Sequence, residues 1–188
     1  NKTDLKLSIM ADVGKCDYET DIAPKKDSVI DLVRVAAYIH QIPSAVEMIQ
    51  DAHEKGYEVT ANLMAVSTVH ESDLDEGLQV LAGTPVSAIY LVDSFGSFYS
   101  EEIRALTKKY LDACKGTNIQ VGIHTHNNQQ LAYANTIEAI VSGANRLDAT
   151  LSGLGRGAGN CPLELLIGFL KNPRYKLRPT LDCIERHI

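Results

Sequence analysis

Short apolar runs rich in Val, Ile and Leu recur along the chain: LKLSIMADV (5–13), DLVRVAAYI (31–39), YEVTANLM (57–64), SAIYLVDSF (87–95), IQVGIHTH (119–126) and NRLDATLSG (145–153). Runs this continuous suit parallel strands covered on both faces, so six strands are expected. Between several of them the apolar period lengthens to that of a helix. The segment Ser44 to Lys55 follows Pro43, carries the capping-box spacing Ser44…Glu47, aligns Val46, Ile49 and Ala52 on one stripe and stops at Gly56. This predicts an amphipathic helix. A second is predicted over 101–114, with Ile103, Leu106, Tyr110, Leu111 and Cys114 in register, and a third on Leu131, Ala134, Ile137, Ile140 and Val141 before Gly143.

Strand starts recur roughly every 25 to 32 residues, the size of a βα unit repeated without a linker. A (β/α)8 barrel takes about 250 residues, roughly 31 per unit. The 188 residues here therefore predict an α/β chain carrying about six of the eight units of a TIM barrel over 1–172, with 173–188 as a C-terminal extension. An open, doubly wound sheet is the competing architecture. No Gly-rich dinucleotide turn follows the first strand, and polar residues gather at strand ends, which favours the barrel.

Composition narrows the partners. With 45% hydrophobic and 22% charged residues, the chain can bury an ordinary core. Its formal net charge of -6 lies in no single block and the basic residues form no stripe, so neither nucleic acid nor an anionic membrane is an expected partner. No apolar run approaches the roughly 20 residues of a membrane span, and NKTDLKLS has no signal-peptide stretch. Cys16, Cys114, Cys161 and Cys183 are far apart and form no C-x-x-C, which fits a reducing compartment. Small molecules in the cytoplasm are the expected setting.

In a barrel the reactive groups sit at the carboxyl ends of the strands. Those ends read Asp12 and Cys16, Tyr38 and His40, Asn62, Asp93 and Ser94, then His124 and His126. Strand alternation puts both of the last pair on one face and Thr125 on the other. Two imidazoles about 7 Å apart along a strand can converge on one ion. By itself an H-x-H pair fits hydrogen-bonded structure at least as well. The next apolar run leads into SGLGRGAGNCPLE (152–164), which places Asn160 34 positions after His126. Its glycines let the backbone pass close to a ligand, and Pro162 with Glu164 opens a helix. The phosphate-loop registers G-x-x-x-x-G-K-[ST] and G-x-G-x-x-G are both absent from it.

The stretch VGIHTHNNQQLAYANTIEAIVSGANRLDATLSGLGRGAGNCPLE resembles the seventh and eighth βα units of the DRE-TIM metallolyases, the HMG-CoA lyase-like superfamily of metal-dependent aldolases and Claisen-condensing barrels. LVRVAAY, AIYLVDSFG and GAGNCPLE are most similar to its 4-hydroxy-2-oxovalerate aldolase branch. The likeness is strongest over 87–170 and faint over 1–30. It implies that His124 and His126 bind a divalent cation, Mn2+ first and Mg2+ or Zn2+ otherwise, and that Asn160 completes or borders its shell. It further implies that Arg34, Asn62, Asp93 and Ser94 line the substrate mouth. Read from the residues alone, Arg34 fits an interior ion pair and Asp93 a turn cap just as well, while Cys16 and Cys161 fit packing thiols.

The implied reaction breaks or forms a carbon–carbon bond next to a 2-oxo acid through a pyruvate enolate, whose charge a chelated cation stabilises. An acetyl-CoA-dependent Claisen transferase of the isopropylmalate synthase type is an alternative, and a non-catalytic barrel remnant binding a metabolite or partner is another. Relatives carry an acidic-arginine signature at the end of the first strand that supplies a third ligand. Residues 1–30 hold none, so the first two βα units are expected to lie outside this sequence. No general base stands out, and His40 is the one candidate considered. An amidohydrolase reading is set aside, because its H-x-H belongs to the first strand and further ligands follow, whereas here only His187 does. A homo-oligomer is the one protein partnership left open.

Overall fold

The structure, a computed structural model, describes residues 5–170 and 175–188. Its six strands are β1 (Ser8–Asp12), β2 (Leu32–Ala37), β3 (Glu58–Leu63), β4 (Ala88–Asp93), β5 (Gln120–Thr125) and β6 (Arg146–Leu147). All neighbouring pairs are parallel, and their order in the sheet is their order in the chain. The helices are α1 (Tyr18–Asp21), α2 (Ile42–Glu54), α3 (Glu71–Ala82), α4 (Ser100–Ala113), α5 (Ala132–Val141), α6 (Leu163–Leu170) and α7 (Leu177–His187).

Sequential order separates the two architectures. A doubly wound sheet reverses its order at a switch point, whereas right-handed crossovers in unbroken sequence put every helix on one face and curl the sheet. The packing agrees: Val33, Val35, Val59, Ala61, Ile89, Leu91, Val121 and Ile123 share one core with the buried faces of α2, α3 and α4. Alternation turns Arg34, Asn62, Tyr90 and His124 to the opposite, inner face, where Ala88, Tyr90 and Val92 form a separate small cluster. Six of the eight βα units of a TIM barrel are thus present.

The helices differ locally from expectation. α2 starts at Ile42, not Ser44, with Pro43 in its first turn; Ser44 and Glu47 are exposed, and the buried stripe is Ile42, Ala45, Met48, Ile49 and Ala52. α3, with Leu74, Gly77, Leu78 and Leu81 inside, follows a helical period that its many acidic residues disguise. In α5 the predicted stripe is rotated off the core: Ile140 packs at its edge and Leu131 and Ile137 are partly buried. Ala132, Asn135, Thr136 and Ala139 are buried, while Ala134 is exposed and Val141 is 74% exposed. The reason is hydrogen bonding. Asn135 Nδ2 donates to the Phe98 carbonyl at 2.7 Å, and Thr136 Oγ1 lies 2.9 Å from Thr125 Oγ1, so these polar side chains are satisfied inside.

The run 145–153 yields only two strand residues, then a bridge from Thr150 to Pro162 and a 3-10 turn over 151–153. The boundary expected between 172 and 173 lies outside the described residues. α7 packs on α6 and the 151–153 turn. Among the described residues no helix is long and apolar enough to cross a membrane.

Candidate active site

His124 and His126 project from the end of β5 to the same face, their ring centroids 5.1 Å apart and their planes at 67°. Just past β6, Asp148 Oδ2 lies 3.0 Å from His124 Nδ1, and the same oxygen accepts a hydrogen bond from Arg34 Nη2 of β2 at 2.5 Å. Burial pushes the Asp148 carboxyl up, but the His124 hydrogen bond and the Arg34 guanidinium outweigh it and hold it below the usual carboxylate range. An ionised carboxylate at Nδ1 makes that nitrogen the protonated one, which leaves the Nε2 lone pair free for a ligand. Arg34 is held a second time by stacking over the Tyr90 ring, 4.6 Å from its centroid.

The glycine-rich stretch folds back onto the end of β5. His126 and Asn160 form an antiparallel bridge, and the Asn127 N–H donates to the Gly159 carbonyl at 2.8 Å. Asn160 is 9% exposed. Its Nδ2 donates to the Leu154 carbonyl at 2.9 Å, which orients the amide, and its Oδ1 is buried with no donor among the described residues. A Cβ at position 155 would collide with Asn160 Nδ2, so glycine there is what lets the loop close over the amide. The N–H groups of Gly153, Leu154, Gly159 and Asn160 donate to carbonyls of the same stretch, and those of Ser152 and Ala158 to Glu164 and Asn128. Among the described residues the N–H groups of Gly155, Arg156 and Gly157, at the tip of the loop, have no acceptor.

These donors fit a divalent cation. Burial, then the neighbouring His124 and Arg156, pushes the His126 imidazole below its usual value and keeps it neutral, the form that ligates. Two imidazoles, one pinned by a carboxylate, stand at the strand end, and Asn160, whose amide oxygen has no partner, is bridged to His126 through the backbone. Among the described residues no group of three or more His, Cys, Asp and Glu is arranged so that it could hold a metal ion.

The histidines open onto a cleft of about 230 Å³. Asn62 and Ser94 are part of its wall, as are Asp12, Lys15 and Tyr38, with Arg156 reaching in from the glycine-rich loop. Ser94 Oγ also accepts the N–H of Ala65, at 2.9 Å. Asp93 does not face the cleft. It is fully buried on the helix side, and its carboxylate accepts the N–H groups of Ser97 at 3.0 Å and Phe98 at 3.4 Å. The turn-capping alternative describes it. Arg34 is an interior ion pair with Asp148, which in turn bonds His124, and it is not part of the cleft wall. His40 stacks on Tyr38, centroids 5.8 Å apart, but lines a larger outer groove of about 720 Å³ between α2 and α3, away from the imidazole pair. Cys161 is buried and packs with Ala132 and Leu166.

Sequence reasoning missed Asp148, Tyr90, Lys15 and Arg156. Asp148 had a signal. NRLDATLSG alternates Arg146 and Asp148 on the face shared with the histidines, and a strand-end imidazole calls for a carboxylate behind it. Tyr90 had none, because only the sheet brings it beneath Arg34.

The HMGL-like family model matches residues 32–185. Over 176 residues the chain is 32% identical to 4-hydroxy-2-oxovalerate aldolase of Pelotomaculum thermopropionicum, covering 94% of this chain and 50% of that protein. Over 156 residues it is 33% identical to oxaloacetate decarboxylase of Mycobacterium tuberculosis, covering 82% and 45%. The crystal structure of the N-terminal domain of a putative aldolase from Bacteroides vulgatus superposes with a TM-score of 0.78 at 28% identity, over 97% of this chain and 62% of that one. The chain spans about half the length of the curated relatives it matches. By this match and these identities the chain belongs to the HMGL-like family.

Proposed function

We propose that this chain carries the histidine face of a divalent-metal-dependent carbon–carbon lyase that acts next to a 2-oxo acid. The observation that carries the reading is the array Arg34–Asp148–His124 set beside His126, to which Asn160 is bridged through the backbone. It rests on relatives named an aldolase of a 2-oxo acid and a decarboxylase of another. When bound, the cation would polarise the 2-oxo group and stabilise the negative charge left by bond cleavage. Mn2+ is the first ion to test, with Mg2+ and Zn2+ beside it.

The chain's own residues have separate tasks in this reading. Asp148 fixes the His124 tautomer and turns its Nε2 outward. His126 stays neutral because it is half-buried beside positive groups. Asn62 and Ser94 offer hydrogen-bonding atoms to a substrate in a cleft smaller than the roughly 300–1,000 Å³ of drug-sized sites, so the substrate is small. Arg34, with Asp148 against it, orients rather than binds.

The test is exchange of pyruvate methyl protons with D2O, followed by NMR in the full-length protein with Mn2+. Exchange that depends on the ion and on His124 is expected; no exchange in a protein that binds Mn2+ removes the lyase reading. Release of free thiol from acetyl-CoA with 2-oxo acids present would redirect it to the Claisen transferase. That no third acidic or histidine ligand joins the pair among the described residues favours, as a second reading, a metabolite-binding barrel without turnover. Metal and 2-oxo acid binding without exchange would establish it.

A further inference from the structure

Three charged side chains line the cleft beside the histidines: Asp12, Lys15 and Arg156. Lys15 Nζ is paired with Asp12 Oδ2 at 2.7 Å, so the two cancel. Deeper in, the Arg34 guanidinium is cancelled by Asp148. Arg156 forms no ion pair among the described residues, and Lys15, which shares the cleft wall with it, carries the same sign of charge. One positive charge is therefore left over on the cleft wall.

Its position is held by the loop. Gly155 and Gly157 flank it, and a Cβ at either would collide, with the Asn160 amide in one case and with Asn128 Oδ1 at 2.9 Å in the other. Gly157 also has φ of +65°, a conformation that favours glycine. Asn128 Oδ1 accepts the Ala158 N–H, and Asn128 Nδ2 donates to the Phe95 carbonyl at 2.8 Å, tying the loop to the turn after β4. Asn128 and Asn160 thus set where the loop, and with it the guanidinium, stands. Arg156 is the one cationic side chain of the stretch 152–164 and it lines the cleft, so its guanidinium is the loop's anion receptor.

We propose that Arg156 receives a second, distal carboxylate, so that the cleft selects 2-oxo dicarboxylic acids over 2-oxo monocarboxylic acids, with Arg156 as the specificity-determining residue. The 2-oxo end would lie at the histidines, and for that end alone the inference rests on the proposed lyase reading. A guanidinium meets a carboxylate with two parallel N–H donors. A charge-assisted contact of this kind is worth about tenfold or more in affinity.

Calorimetric titration of the full-length protein, with and without Mn2+, would compare 2-oxoglutarate with 2-oxopentanoate, equal in chain length and lacking the distal carboxylate. The expected result is at least about tenfold tighter binding of 2-oxoglutarate, lost in Arg156→Gln and partly restored in Arg156→Lys, with 2-oxopentanoate affinity unmoved. Circular dichroism identifies a misfolded variant, and the wild-type comparison of the two acids stands without any variant. Equal affinities in the wild type, or a preference that survives Arg156→Gln, overturn the inference. A preference for the dicarboxylate in a protein that fails to exchange pyruvate protons would remove the lyase reading and leave this one.

Discussion

Asp148 and His124 come from consecutive βα units and meet through one carboxylate oxygen, 3.0 Å from the imidazole Nδ1, which Arg34 also claims from four strands away. That oxygen joins a histidine that needs a fixed tautomer to an arginine that needs a counter-charge. Asp148→Asn keeps the shape and loses the charge. Mn2+ affinity, read by calorimetry, is expected to fall about 10- to 100-fold, the usual loss when the carboxylate behind a ligating histidine is removed. Thermal stability should fall as well, because Arg34 would be left half-buried and uncompensated. Unchanged affinity would show that the carboxylate does not tune His124.

Gly155→Ala tests the orphan amide. The new methyl would displace the Asn160 side chain, at a cost of about 1–3 kcal/mol for overpacking. If the Asn160 oxygen borders the ion, Mn2+ affinity drops beyond what the stability loss explains; if it does not, chemical denaturation alone registers the change.

Asp93→Ala separates a turn cap from a substrate contact. Two N–H groups lose their acceptor, and a loss of about 1–3 kcal/mol in urea unfolding is expected. The affinity of the folded variant for 2-oxo acids should stay within a few-fold of wild type. A selective loss of binding with stability intact would return Asp93 to the substrate mouth.

At the other end of the sheet, Glu58 bonds Lys6, Arg146 and Ser87. Burial works to raise its carboxyl, but Lys6, Arg146 and Ser87 prevail and lower it from 4.5 to about 2. A carboxylate held low binds its proton more weakly folded than unfolded, so its contribution is present above the unfolded value of about 4.3 and is lost as pH falls toward 2. Glu58→Gln should therefore cost on the order of 1–2 kcal/mol at pH 7, discounted for the exposed Lys6 arm. The gap between variant and wild type should close between about pH 4.5 and 2 in denaturant titrations.

Periodicity alone determined a great deal about this protein. Six Val- and Ile-rich runs spaced as βα units are local patterns, and they predicted the strand count, the parallel sheet and the faces of His124 and His126, because alternation in a strand is a property of consecutive residues. The motifs HTHNN and GLGRGAGN marked the family and the candidate site. The tertiary structure decided what no local pattern could: that α5 turns Asn135 and Thr136 inward because Phe98 and Thr125 wait there to bond them, and that Asp93 caps a loop. It also brings Arg34 and Asp148, 114 positions apart, onto one oxygen, cancels Lys15 with Asp12 and leaves Arg156 with no counter-charge. Charge neutralisation and hydrogen-bond satisfaction depend on which side chains meet across strands, and the folded sheet sets those meetings.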